Sequence, residues 1–139
     1  MRAKILIVDD ESAIRQMVCL ALSQANYGCL EAADTAEAQA RILADKPDLI
    51  LLDWMLPGLS GVEYSRRLRR EKLTRDIPII LLTARSFDED IQAVMDLGGI
   101  TYMGKPFEFA LLLQKLWASV GLEQPVASAA RVISGASQR

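Results

Sequence analysis

The stretch LILLDWMLPGLSGVEY, Leu49 to Tyr64, runs four apolar residues straight into an acid and then turns at Pro57-Gly58. A carboxylate at the end of a buried run is costly unless a cation or hydrogen-bond donors meet it. Asp53 therefore either caps its strand and faces water or sits at the mouth of a site. The other strand ends decide between the two.

Short apolar runs of this kind recur along the chain and alternate with longer segments of helical period. KILIVDD (Lys4 to Asp10), YGCLEA (Tyr27 to Ala32), DLILLD (Asp48 to Asp53) and IPIILLT (Ile77 to Thr83) are predicted strands, and ITYMG (Ile100 to Gly104) is a fifth. Three of them are continuous Ile/Leu/Val runs, which suits strands covered on both faces in a parallel sheet. The spacing predicts helices over Ser12 to Gln24, Thr35 to Ala44, Gly61 to Lys72, Asp88 to Leu97 and Phe107 to Val120, with Ser12 and Thr35 as N-caps. Strands alternating with helices imply right-handed crossovers and a doubly wound α/β sheet. Residues 1–121 are expected to form that domain. The remainder, LEQPVASAARVISGASQR (122–139), is rich in Ala and Ser and is expected to be a tail or linker stub.

Composition narrows the function classes. The 139 residues are 51% apolar and 24% charged, enough to bury one real core. Sixteen basic against eighteen acidic residues give a formal charge of −2, so a basic nucleic-acid-binding surface is not expected of these residues. No run is long enough to span a bilayer, and MRAKILIVDDE meets acid too early for a signal peptide, so a cytoplasmic location without membrane contact is expected. The absence of histidine excludes a Ser-His-Asp or Cys-His site and His-ligated zinc within these residues. Cys19 and Cys29 lack metal-ligand spacing and are expected to be reduced, buried thiols.

In an open α/β sheet, ligands bind beyond the carboxyl ends of the strands. The first predicted strand ends on Asp9-Asp10, the third on Asp53 and the fourth on Thr83, and Lys105 follows the fifth. Three carboxylates, a hydroxyl and an ammonium thus gather at one sheet edge. Three neighbouring carboxylates need a counter-charge. A hard cation such as Mg²⁺ supplies it while still accepting phosphate. A carboxylate can serve as the nucleophile that takes a phosphoryl group, and Asp53, central among these strands, is the candidate acceptor.

These segments, ILIVDDE, LILLDWMLPGLSG, RDIPIILLTAR and KPF, resemble the receiver domains of bacterial response regulators, most closely the OmpR/PhoB subfamily, from about Lys4 to Trp117. The resemblance implies a flavodoxin-like (βα)₅ fold with strand order 2-1-3-4-5. It further implies that Asp53 takes a phosphoryl group from the phosphohistidine of a sensor histidine kinase. Asp10, Asp53 and the main-chain carbonyl of Met55 would bind Mg²⁺, with Asp9 assisting, and Lys105 would pair with the phosphoryl group. Thr83 and Tyr102 would be the switch pair acting on the surface of helix four, strand five and helix five. The Lys105-Pro106 bond would be cis. Such a domain is a phosphoryl acceptor with at most slow self-dephosphorylation, and its usual output is transcriptional.

Each residue also has a plainer reading. Asp9-Asp10 alone could be a solvated strand end, Lys105 a surface lysine and Tyr102 a half-buried strand aromatic; their joint placement favours the site. Met17 and Met55 are expected to be packing residues, and Trp54 is expected to border the pocket. The run RRLRREKLTR, Arg66 to Arg75, is expected to be a solvated helix face. An Asp-nucleophile phosphatase would carry Asp-x-Asp at the first strand, and a nucleotide-binding domain a glycine-rich loop there, whereas the chain has Asp9-Asp10 followed by ESAIRQ.

The pattern departs from the subfamily around the fifth strand. GGITYMG puts Gly99, Ile100 and Thr101 where a small residue and two acids are usual. Ile91, Leu111, Trp117 and Gly121-Leu122 replace charges of the pairing face, and Gly104 replaces a small hydroxyl residue. Apolar residues left exposed there would mark a partner surface or a homodimer packed differently. A degenerate receiver that docks without phosphorylation is the alternative. Members of the subfamily continue into a winged-helix DNA-binding domain, and none is recognisable in these 139 residues.

Overall fold

The computed structural model describes residues 2–84 and 88–120. Ten elements alternate: β1 (Lys4–Val8), α1 (Ser12–Gln24), β2 (Gly28–Ala32), α2 (Thr35–Ala44), β3 (Leu49–Asp53), α3 (Gly61–Arg70), β4 (Ile79–Thr83), α4 (Glu89–Met95), β5 (Ile100–Gly104) and α5 (Phe109–Val120). The strands form one parallel sheet in the order β2-β1-β3-β4-β5. The expected doubly wound topology is therefore the observed one, and β3, which carries Asp53, lies at its centre.

Side chains alternate across each strand, so the continuous apolar runs feed two separate cores. Leu6, Val8, Ile50, Leu52, Ile79 and Leu81 meet Ala38 and Ile42 of α2, Tyr64 and Leu68 of α3, and Ile91 and Val94 of α4. Ile5, Ile7, Leu49, Leu51, Ile80 and Leu82 meet Val18 and Leu22 of α1 and Leu112 and Leu116 of α5. Every residue of β3 and β4 is buried. Burial of each Leu or Ile contributes about 1.5–3 kcal/mol, so these two strands anchor the sheet.

Element ends differ from the expected ones by a residue or two, for local reasons. Asp34, not Thr35, caps α2 by accepting from the Glu37 N–H at 2.8 Å. Ser12 lies inside α1, whose N-cap is Glu11 without a side-chain bond. Glu11 instead donates its own N–H to Asp9 Oδ1 at 2.9 Å. The segment before β4 bends first, with Ile77 N–H bonded to the Thr74 carbonyl, and Pro78 offers no N–H to the ladder. The expected tail, 122–139, lies outside the described residues.

The expectation of free thiols is overturned. Cys19 and Cys29 form a disulfide with their Cα atoms 5.4 Å apart. The reason is packing: Cys29 lies on the face of β2 that turns toward α1, and Cys19 follows Val18 on the helix that covers that face. Helix and strand are joined through only Ala25, Asn26 and Tyr27, with Asn26 in the left-handed region at φ 74°. The cysteines are thus brought together by a chain reversal that ten residues of sequence spacing do not reveal. Iodoacetamide should leave the unreduced protein unmodified and add twice after reduction, as read by intact mass. The Cys19→Ser/Cys29→Ser variant should lose roughly 2–3 kcal/mol, from the closed-loop length, a fall of about 10 °C in Tm.

Candidate active site

The carboxyl ends of β1 and β3 present Asp9, Asp10 and Asp53. One carboxylate oxygen of each lies within 4.8 Å of the others, with Asp9 and Asp53 buried and Asp10 exposed. Lys105 Nζ reaches the pair, donating to Asp9 Oδ2 at 3.0 Å and to Asp53 Oδ1 at 3.2 Å. Asp53 Oδ1 also accepts from the Met55 N–H at 3.3 Å, while the Met55 side chain is exposed. Lys105 is held by its own backbone, whose N–H donates to the Thr83 carbonyl at 2.7 Å, and the Lys105-Pro106 bond is cis as expected.

The electrostatics follow from burial and spacing. Desolvation, then repulsion from Asp9, raise the pKa of Asp53, and the opposing attraction of Lys105 does not cancel them. For Lys105, burial works against the charge, but hydrogen bonding and attraction from Asp9 and Asp53 outweigh it and hold the pKa above its usual value. Lys105 thus stabilises the fold fully below pH 10.5, and that contribution is lost as pH climbs through its higher folded pKa. Asp53 does the reverse of a salt-bridged acid, because ionising it costs the folded state free energy.

The structure brings together Asp9, Asp10, Asp53, Lys105 and the backbone of Met55. Thr83 ends β4 beside them, buried and paired in register with Gly104. Tyr102 lies apart, opposite Leu81 in β5 and half-buried against the core shared with α2, α3 and α4. Trp54, next to Asp53, is buried and belongs to that same core. An apolar cavity of about 410 Å³ adjoins the site, lined by Ile14, Met17, Ala84 and the Lys105–Phe107 turn with Phe109.

Two further residues support the site: Arg15, which carries no signal in the residue pattern, and Gly61, which closes the LILLDWMLPGLSG segment that carries the resemblance. Arg15, in the first turn of α1, donates Nη1 to the Asp9 carbonyl at 2.6 Å and Nε to Glu31 at 3.0 Å, fixing the backbone that presents Asp9. Gly61 starts α3 with its N–H on the Trp54 carbonyl at 3.0 Å. A Cβ there would lie 3.0 Å from Trp54 Cα and against the Asp53 carbonyl oxygen, so only glycine lets α3 dock on the Asp53 turn.

The response regulator receiver domain family matches residues 5–117, and the chain belongs to it. Phosphate regulon transcriptional regulatory protein PhoB of Pseudomonas aeruginosa is 53% identical over 114 residues, 82% of this chain and 50% of that protein. The Escherichia coli protein of that description is 42% identical over 127 residues, 91% of this chain and 56% of its own length. The chain thus spans about half the length of these relatives. Among solved structures, Vibrio cholerae chemotaxis protein CheY4 superimposes with a TM-score of 0.80 at 34% identity, covering 86% of this chain and 99% of that one. The receiver domain of sensor histidine kinase PA1611 from Pseudomonas aeruginosa, which holds a magnesium ion in its active site cleft, gives 0.77 at 30% identity, covering 88% of this chain and all (100%) of that one.

Two substitutions test this geometry. Asp53→Asn should raise Tm at pH 7, because it removes a charge that the fold disfavours. The gain should vanish below pH 3.8, where Asp53 is protonated in both states. Gly61→Ala should cost about 1–3 kcal/mol in urea unfolding, since backbone must move to admit the methyl group.

Proposed function

We propose that the chain is a phosphorylation-controlled signalling module in which Asp53 accepts a phosphoryl group from the phosphohistidine of a partner sensor histidine kinase. The observation that carries this reading is the Lys105 ammonium bonded at once to Asp9 and Asp53, 3.0 and 3.2 Å away. It leaves the buried acceptor ion-paired on one side and open toward the acidic cleft on the other. A carboxylate oxygen of Asp53 attacks phosphorus, the phosphorus–nitrogen bond to the donor imidazole breaks, and an acyl phosphate results.

The converging carboxylates of Asp9, Asp10 and Asp53 suit a hard divalent cation. Asp10, Asp53 and the Met55 carbonyl would hold Mg²⁺, with Asp9 assisting through water. Bound there, Mg²⁺ supplies positive charge that lets the three acids stay ionised together and offsets the charge of the phosphoryl oxygens. Lys105 then turns from Asp53 to the phosphoryl group without leaving Asp9. The Thr83 hydroxyl takes a phosphoryl oxygen, drawing the end of β4 inward, and Tyr102 moves with it to alter the α4-β5-α5 surface. The apolar cavity beside Lys105 offers the donor protein a surface next to the acceptor.

Leu111 and Trp117, which stand where the subfamily carries charge, are exposed together with Leu97 and leave apolar area on the α4 and α5 side. This supports self-association through a repacked rather than salt-bridged face. By likeness to the two phosphate regulon regulators named above, the output is transcriptional and the chain acts in the cytoplasm. The chain acts as an acceptor rather than a turnover enzyme, with slow loss of its own acyl phosphate.

The deciding experiment is intact mass after incubation with acetyl phosphate and Mg²⁺, beside an Asp53→Ala control. A single phosphoryl adduct is expected, absent from the control and from a chelated sample. A folded wild-type protein that gains no adduct would make a docking module the correct reading.

A further inference from the structure

One arginine stands out from the basic run of α3. Arg66 and Arg67 form ordinary surface pairs with Glu63 at 2.9 Å and Glu71 at 3.2 Å. Arg69 turns away from its helix and donates to four main-chain carbonyls: Gly98 at 2.8 Å through Nε, Ile77 at 2.6 Å and Gly99 at 3.0 Å through Nη2, and Thr74 at 3.3 Å through Nη1. Two of these acceptors belong to the connection from α3 to β4 and two to the connection from α4 to β5. Gly98 and Gly99 are left-handed, with φ 93° and 71°, and the Gly99 carbonyl also accepts from the Ile79 N–H at 2.9 Å. A Cβ on Gly99 would come within 3.0 Å of Arg69 Nη2. The guanidinium is therefore a clip across the entrances of two neighbouring strands. Those strands lead, at their far ends, to Thr83 and to Lys105, with Tyr102 midway along β5.

We propose that Arg69 is a positioning residue for the switch, the fixed pivot against which a displacement at the carboxyl end of β4 becomes movement of β5 and α4. This proposal rests on the reading of Asp53 as phosphoryl acceptor. A pull on Thr83 moves one end of β4. It is passed to the neighbouring strand as a change of tilt only if the other ends of both strands are pinned together. With the pin removed, the segment from Gly98 to Tyr102 yields locally and absorbs the motion. The planar fork of arginine, with five donors, can reach all four carbonyls at once; a lysine ammonium with three cannot. Arg69 thus couples the acceptor to the output face while lying at the opposite end of the sheet and touching neither Asp53 nor its partners.

The test uses the 139-residue chain with Arg69→Met and Arg69→Lys, labelled by acetyl phosphate and Mg²⁺ and followed by amide hydrogen exchange. Both variants should label Asp53 within about twofold of the wild-type rate, because the site is untouched. Exchange from Gly98 to Tyr102 should be about tenfold faster before phosphorylation, and the change that phosphorylation produces in α4 and β5 should be lost. A variant whose α4 and β5 still respond to phosphorylation as wild type does, or whose segment exchanges no faster, overturns the proposal. Should Arg69→Met fail to fold, Arg69→Lys, which keeps charge and stem, gives the same readouts. A wild-type protein that takes no label overturns the acceptor reading and the switch role with it. That failure is distinguished by its appearance without any change at Arg69.

Discussion

Two carboxylates buried side by side are the constraint around which this molecule is arranged. Asp9 is 0% exposed and Asp53 is 5% exposed, and the charge of Asp9 makes Asp53 harder to ionise. One ammonium reaches both, and it comes from residue 105, which is 96 positions from one acid and 52 from the other. No local structure can deliver such a contact. It requires β1, β3 and β5 to end at the same edge in parallel, with β4 between β3 and β5 to carry the Thr83 carbonyl that holds the Lys105 backbone. The parallel topology, the two apolar cores that enforce it and the placement of the lysine are one requirement seen at three scales.

That requirement explains why so much was legible in the sequence. A strand buried on both faces must be apolar throughout, so the Leu49–Leu52 and Ile79–Leu82 runs announce the central strands without structural help. An acid that ends such a run has few cheap explanations, and three acids plus a lysine at corresponding strand ends have fewer. Asp9, Asp10, Asp53, Thr83 and Lys105 were all readable as strand-end residues, and the structure gathers them at one edge. What escaped depends on angles rather than spacing. The disulfide needed the facing of α1 on β2, a relation in which Cys19 and Cys29 carry no pattern. The caps shifted by one residue because Asp34, not Thr35, has the extended backbone that lets a side chain reach Glu37. Arg15 and Arg69 bind carbonyl oxygens, and a carbonyl acceptor leaves no trace in residue identity.

The departures around β5 sort themselves by depth. Ile100 is 3% exposed and packs into the core with Ile91 and Val94 of α4, so it adds apolar contact there. Thr101 is exposed and carries no charge to the surface. Gly99 accepts both Ile79 and Arg69 with no Cβ in the way. None of these three residues touches Asp9, Asp53 or Lys105.

The geometry of the cleft and the character of the α4-β5-α5 face are therefore set by separate residues. β4 and β5 carry site residues at one end and the Arg69 clip at the other, with Tyr102 between. Exposed positions on this side, such as Leu97 after α4, Thr101 of β5 and Leu111 of α5, lie outside the cleft. A change of acceptor chemistry would disturb the balance of two buried acids against one lysine, and with it the stability of the sheet edge. The site is held to its residues by the cost of burying charge, while the exposed positions of the face carry no such cost.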